Sequence, residues 1–332
     1  MIRKLAVGLL VTLSTVCPPA PAEIIDHDDI AGVASLPQSI MDAIGRQRWF
    51  FAHASVGGNM ISGLGDLHAA DPSRHQLVSS SVSYLTGQMR AADAPIPTSA
   101  GTVYRCSRGN PGWQDKLTIL ENSVHYSGWH VPSVDAVMNK FCYIDETADA
   151  AAYTNSMSLL EAAQPDTVFV YMTMPLMTGE DYANVQRNLF NAAVRAYCIE
   201  HDRLLFDIAD MEAHDPAGNE YTFTYGGQTY QKLYGGYTSD GGHLNTTGRQ
   251  RIALGWYATA AALATGVPAD LDFDRDVDLD DFALFASCLA GPGVTVPPPG
   301  CDSTTYGKAD VDGDSDVDVS DLAGLQNVFA PP

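Results

Sequence analysis

The chain has 332 residues, 45% of them hydrophobic, which suits one large folded unit plus a small one and excludes a disordered chain. Forty Asp and Glu stand against 18 Lys and Arg, a formal net charge of −22. That balance excludes nucleic acid as a partner, because phosphate affinity needs a basic surface. The charge is uneven: from Pro268 onward there are 14 Asp, one Arg and one Lys, so −12 of the total lies in the last 65 residues.

In chain order, the first feature is an export signal. Arg3 and Lys4 precede an apolar run from Leu5 to Val16, and Ala20-Pro21-Ala22 offers a small-x-small cleavage site. Residues 1–22 are therefore expected to be removed, leaving a protein that is secreted, periplasmic or extracellular, with no membrane association. The run is too short for a comfortable membrane span. Cys17 offers a lipid-anchored alternative, to which Ser14-Thr15-Val16 is a poor match. In an oxidising compartment the remaining cysteines are expected to pair. Cys288 and Cys301 flank a proline-rich loop and are expected to form a disulfide. Among the others, Cys106 with Cys142 is the expected pairing, with one thiol left over.

Residues 23–267 alternate strand-like and helix-like runs. Strands are expected at Arg48–Ala52, Gln76–Leu85, Val134–Phe141, Asp166–Met174 and Leu204–Ile208. The fourth is a nearly continuous apolar run of the kind buried on both faces. Helices are expected at Asn59–Leu67, Gln114–His125, Ala151–Ala163, Tyr182–Glu200 and Thr247–Ala264. The pattern implies an α/β fold of three layers, α/β/α, around a five-stranded parallel sheet. Ligand sites in such folds form at the carboxyl ends of the strands.

Two segments in those places carry chemistry. His53-Ala54-Ser55-Val56-Gly57-Gly58-Asn59 follows the first strand. A Ser there, before glycines that open a helix, can present its hydroxyl while nearby N–H groups face a developing oxyanion. Ser239-Asp240-Gly241-Gly242-His243-Leu244-Asn245 precedes the last helix. A spacing of three in a glycine-rich loop lets Asp240 turn back onto the His243 ring and leave its other nitrogen free as a general base.

These blocks resemble the GDSL/SGNH hydrolase superfamily, in a divergent form with His-x-Ser-Val-Gly as first block, over roughly residues 46–265. The resemblance implies a flavodoxin-like SGNH fold and a serine esterase with Ser55, Asp240 and His243 as catalytic residues and no cofactor for that domain. It also implies two oxyanion donors. Ser107-Arg108-Gly109-Asn110-Pro111-Gly112-Trp113 resembles the superfamily's Gly block, which assigns that role to the Gly109 backbone N–H. The superfamily's Asn block should end the third strand, but Cys142-Tyr143-Ile144-Asp145 stands there, so either Asn110 fills that role or the oxyanion hole is weaker. His53 is expected to have a structural role, Cys142 to be a disulfide partner or buried thiol, and Lys140 to pair with Asp145 near the site.

Residues 268–332 contain two twelve-residue acidic loops. Asp270, Asp272, Asp274, Asp276, Asp278 and Asp281 occupy positions 1, 3, 5, 7, 9 and 12, and Asp310, Asp312, Asp314, Asp316, Asp318 and Asp321 repeat them. Oxygen ligands at this spacing suit Ca²⁺. Apolar helices are expected after each loop, at Phe282–Ala290 and Leu322–Phe329. This tail resembles a type I dockerin, a small all-α, EF-hand-like module, which implies a cohesin-like protein partner. Position 6 departs from the usual Gly: Arg275 and Ser315 stand there, each at a cost of roughly 1 kcal/mol if the backbone is left-handed.

The combined expectation is an exported carboxylic-ester hydrolase acting on an acetylated carbohydrate or related ester. A non-catalytic binding or scaffold protein of the same fold, and an acyltransferase using the same triad, are the alternatives.

Overall fold

The computed structural model describes residues 23–82, 99–125, 134–165, 167–273 and 277–328. The expected export signal, residues 1–22, lies outside the described residues, as do Asp274, Arg275 and Asp276 of the first acidic loop. Seven strands, β1 (Ile24–Ile25), β2 (Arg48–His53), β3 (Val78–Val82), β4 (Thr102–Ser107), β5 (Ala136–Asn139), β6 (Val168–Met172) and β7 (Leu205–Phe206), form one sheet. A separate hairpin pairs β8 (Thr222–Tyr225) with β9 (Gln228–Gln231). The helices are α1 (Asp29–Gly32), α2 (Gln38–Ile44), α3 (Val56–Ala70), α4 (Trp113–His125), α5 (Ala150–Ala163), α6 (Tyr182–Glu200), α7 (Ile208–Ala213), α8 (Thr246–Thr265), α9 (Leu279–Cys288), α10 (Ser303–Ala309) and α11 (Val319–Val328).

The sheet order is β1-β7-β6-β5-β2-β4-β3, with every pairing parallel. The central five, β4-β2-β5-β6-β7, follow the flavodoxin-like order, with the direction of winding reversing at β2. The sheet therefore has seven strands rather than the five expected. The two additions are the hardest to see in sequence. β1 is two residues long, and β4 mixes Thr102, Arg105 and Ser107 into its apolar positions.

Alternation along β2 explains the two packed faces. Trp49 and Phe51 join a cluster with α2, α3 and α8, whereas Phe50 and Ala52 join one with α4, α5 and α6. This gives the three layers. Side-chain caps fix helix starts: Asp149 for α5, Asp181 for α6 and Asn245 for α8, each worth about 1 kcal/mol. A third cluster, including Leu271, Val277, Phe285, Val317 and Leu325, holds the tail together. Cys288 and Cys301 form the expected disulfide. Arg46 reaches the Asp272 carbonyl, and Phe273 packs into the larger α3/α8 cluster, so the first acidic loop lies against the α/β body.

The expected Cys106–Cys142 bond is absent, and Cys106, Cys142 and Cys198 are free and buried. Topology forbids it. Cys106 is on β4 and Cys142 follows β5, and β2 lies between these strands. Two strand spacings put the residues about 9–10 Å apart or more, beyond the ~7 Å reach of a disulfide.

Candidate functional site

β2 ends at His53, and Ser55 caps α3 with φ 54° and ψ −117°, a left-handed backbone that is rare for a residue with a side chain. The strained turn sits at the carboxyl end of the central strand, where the winding reverses. Asp240 and His243 lie in the loop before α8, and Gly241 supplies the positive φ (91°) that the loop needs. Asn59 of α3 accepts a hydrogen bond from the Leu244 N–H (3.2 Å), tying the two segments together.

The three residues expected to form a triad converge. Ser55 Oγ lies 2.7 Å from His243 Nε2, and His243 Nδ1 lies 2.8 Å from Asp240 Oδ2. Asp240 Oδ1 also accepts the backbone N–H groups of Gly242 (3.0 Å) and His243 (2.8 Å). The Gly242 hydrogen bond, then those to His243, hold the Asp240 carboxyl well below the usual carboxylate range, so it is ionised and acts as an acceptor. The site is open: the side chains of His243 and Asp240 are 42% and 57% exposed.

Gly109 and Asn110 follow β4, whose register pairs Ser107 with His53, and Arg108 N–H donates to the His53 carbonyl (3.0 Å). Both therefore sit at the same sheet edge as Ser55, on the neighbouring strand, and Gly109 has a positive φ (69°).

Sequence reasoning missed Tyr143. Its hydroxyl lies 3.4 Å from both ring nitrogens of His243. Tyr143 also packs under the loop, because a Cβ at Gly242 would lie 2.9 Å from its ring. The signal was its place just after β5, where an Asn donor was sought and a phenol stands instead.

Behind Ser55 the chain buries several charges. Lys116 pairs with Asp145, whereas Lys140 donates to the Phe141 carbonyl (2.8 Å), so the expected Lys140–Asp145 pair is replaced by a buried Lys116–Asp145 pair. Arg108 donates to the Lys140 carbonyl (2.8 Å). Burial pulls Arg108 down to about 10 and Lys140 down to about 8. Cys142 sits beside Ser55. Burial raises its thiol pKa, but Lys140 and the Ser55 hydrogen bond outweigh that and leave it lowered. Lys116, Lys140 and Arg108 thus form a buried cationic floor behind β2 and β5, offset by the Asp145 and Glu212 carboxyls and by Cys142. His53 lies in this floor, stacked on Phe51 at 4.9 Å. Burial, then Lys140 and Arg108, pull it down to about 3, so its ring is neutral.

Glu212 of α7 is fully buried and accepts the Leu176 N–H (2.7 Å). Burial pushes its carboxyl up to about 8. It anchors the 173–181 loop, whose Thr178 N–H in turn donates to the Gly241 carbonyl (3.0 Å) beside Asp240.

In the tail the two loops share one pattern. The position-12 carboxylates, Asp281 and Asp321, accept N–H groups from positions 2, 3 and 9 of their own loops. Asp270, Asp272 and Asp281 bring ligand atoms within 4.8 Å of one another, as do Asp310, Asp312 and Asp321, and Asp316, Asp318 and Asp321. Buried oxygens of Asp310 and Asp316 have no hydrogen-bond partner among the described residues, a state that suits a cation. Ser315 has φ 75°, the left-handed conformation foreseen at position 6. His27, Asp210 and His214 also cluster, but the two rings stack at 3.5 Å and 4°, so one ion cannot lie in both ring planes.

No protein-family model matches the chain. Among solved structures it is similar to a GDSL-like lipase from Bacteroides thetaiotaomicron (11% identity, TM-score 0.39, 67% of this chain and 90% of that one). It is also similar to an alpha/beta hydrolase enzyme from the metagenome of Lake Arreo, Spain (16%, 0.40, 66% and 96%). A third is a catalytic mutant of an acetylxylan esterase from Geobacillus stearothermophilus (12%, 0.37, 64% and 94%). At such identities and TM-scores, function is read from the site itself.

Proposed function

We propose that this chain is a serine carboxylic-ester hydrolase of the SGNH kind. The observation that carries the reading is the continuous relay from Ser55 Oγ through His243 to Asp240, at 2.7 and 2.8 Å. Ser55 Oγ attacks the ester carbonyl carbon while His243 Nε2 takes its proton. Asp240 fixes the ring orientation and balances the charge that forms on it. The alkoxide of the tetrahedral intermediate faces the backbone N–H groups of Ser55 and Gly109 and the N-terminus of α3, with Asn110 and Tyr143 as side-chain donors. His243 returns the proton to the leaving alcohol, and the relay then activates water to release the acid. The exposed site admits water freely, which favours hydrolysis over acyl transfer to another alcohol.

The favoured substrate is an acetyl ester on a carbohydrate. The tail is read as a dockerin-like module holding Ca²⁺ between Asp270, Asp272, Asp274, Asp276, Asp278 and Asp281 and between Asp310, Asp312, Asp314, Asp316, Asp318 and Asp321. It would dock onto a cohesin-like partner outside the cell. A fluorophosphonate probe tests the nucleophile: labelling mapped to Ser55 is expected. Labelling at Cys142, or none where a control esterase reacts, would contradict the assignment.

A further inference from the structure

A groove of about 310 Å³ runs between α6 and the β8–β9 hairpin, lined by Asn188, Leu189, Thr222, Thr229, Tyr230 and Gln231. Reciprocal hydrogen bonds between Asn188 and Gln231 (2.9 Å each) fix its walls. Beyond the lining, toward the α6 N-terminus, the same helix and hairpin carry Tyr182 and Tyr225, with ring centroids 6.3 Å apart. Both are solvent-facing, at 60% and 42% exposure, although each sits on regular structure. The helix and hairpin hold this exposed aromatic pair in place with no core to pack against.

The pair stands beside the proposed catalytic loops. Tyr182 follows Asp181, which caps α6 and closes the 173–181 loop. Asn184 binds that loop back through the carbonyls of Met177 and Gly179 (2.9 Å each). Met177 lies against Gly242, between Asp240 and His243. Tyr182 is five positions after Met177, so the distance is at most about 18 Å even fully extended.

The lining selects the ligand. Arg195 is held by Asp207, and Lys232 on the hairpin side by Glu180, so these cations are already neutralised and the groove does not favour an anion. Beside the small apolar patch of Leu189 and Ala192, the lining offers amides, hydroxyls, the Tyr230 ring and the Glu220 carboxylate, which accepts from Gln231 Nε2 (3.0 Å); this set suits a neutral polyhydroxylated chain, whose hydroxyls take hydrogen bonds while its C–H faces stack on a ring. We infer that the α6–hairpin groove, together with the Tyr182–Tyr225 pair carried by the same helix and hairpin beyond its lining, is a subsite for the glycan chain that carries the ester. The assignment rests on the ester-hydrolase reading for its role and on the groove itself for binding.

The test uses the full chain. In native gels containing soluble xylan, a neutral polysaccharide, the Ser55→Ala protein is expected to be retarded, and adding Tyr182→Ala and Tyr225→Ala is expected to abolish the retardation. In the active chain the same two tyrosine changes should raise KM on acetylated xylan about fivefold or more while leaving p-nitrophenyl acetate hydrolysis unchanged. Unretarded Ser55→Ala protein, or equal loss on both substrates, would overturn the inference. If the parent chain failed to hydrolyse p-nitrophenyl acetate, the esterase reading would fall, while retardation by xylan would still establish the binding site.

Discussion

Gly63 of α3 lies directly against the backbone carbonyl of Arg249 in α8: a Cβ at Gly63 would stand 2.1 Å from that oxygen. The close approach of these helices sets the site, because Ser55 is the N-cap residue of α3 and His243 lies three positions before α8. Arg249 reinforces the contact through two hydrogen bonds to Asp66, at 2.6 and 3.0 Å.

Gly63→Ala should therefore cost about 1–3 kcal/mol, the usual penalty of overpacking, and lower kcat by separating Ser55 from His243. Gly58→Ala, where nothing lies within 4 Å of the added carbon, should stay near wild-type stability. Urea denaturation read alongside esterase rates compares the two. Equal stability of both variants would contradict the packing argument.

Tyr143→Phe removes one hydroxyl from the reach of His243 and leaves the ring under Gly242. Its kcat should fall about tenfold or more with little change in thermal unfolding, the behaviour of a lost hydrogen-bond donor near a developing oxyanion. Unchanged kcat would remove Tyr143 from the machinery.

Glu212 links pH to stability. Its folded pKa, about 8, lies above the ordinary carboxyl value, so between these limits the native state holds a proton that the unfolded chain has released. Stability should fall as pH rises from about 5 to 8, by at most about 1.4 kcal/mol per pH unit. Glu212→Gln keeps an oxygen for the Leu176 N–H and should flatten that slope. Asp240 has the opposite sign: its lowered pKa keeps it ionised through the ordinary carboxylate range, so stability from this group is present above that range and lost only below it. Acid unfolding that began well above pH 4 and was removed by Asp240→Asn would contradict this.

For the tail, calorimetry on the full chain should detect Ca²⁺ binding, with Asp270→Ala and Asp310→Ala each removing one site. Ser315→Gly should tighten the second site about fivefold, because its left-handed backbone (φ 75°) costs a serine roughly 1 kcal/mol and a glycine nothing. No heat at millimolar Ca²⁺ would leave only a solvated acidic surface.

What the sequence made legible was local. Asp240 and His243 are three residues apart and Ser55 stands just before Gly57-Gly58, local blocks whose resemblance to the GDSL/SGNH superfamily pointed to a relay. The helix expected at Tyr182–Glu200 is observed with those bounds. What stayed hidden was set by tertiary neighbours. Tyr143 reaches His243 only because β5 lies beside β2. Cys106 and Cys142 looked pairable until β2 separated their strands. The Lys140–Asp145 pairing failed because Lys116, 29 residues from Asp145, arrives from α4.

The central claim is that Ser55 is an activated nucleophile. Initial rates of p-nitrophenyl acetate hydrolysis by the full chain and by Ser55→Ala test it most directly. The account predicts clear turnover by the parent and a drop of about a thousandfold or more in kcat for Ser55→Ala, as removal of a relay nucleophile gives. Equal rates for the two proteins would contradict it.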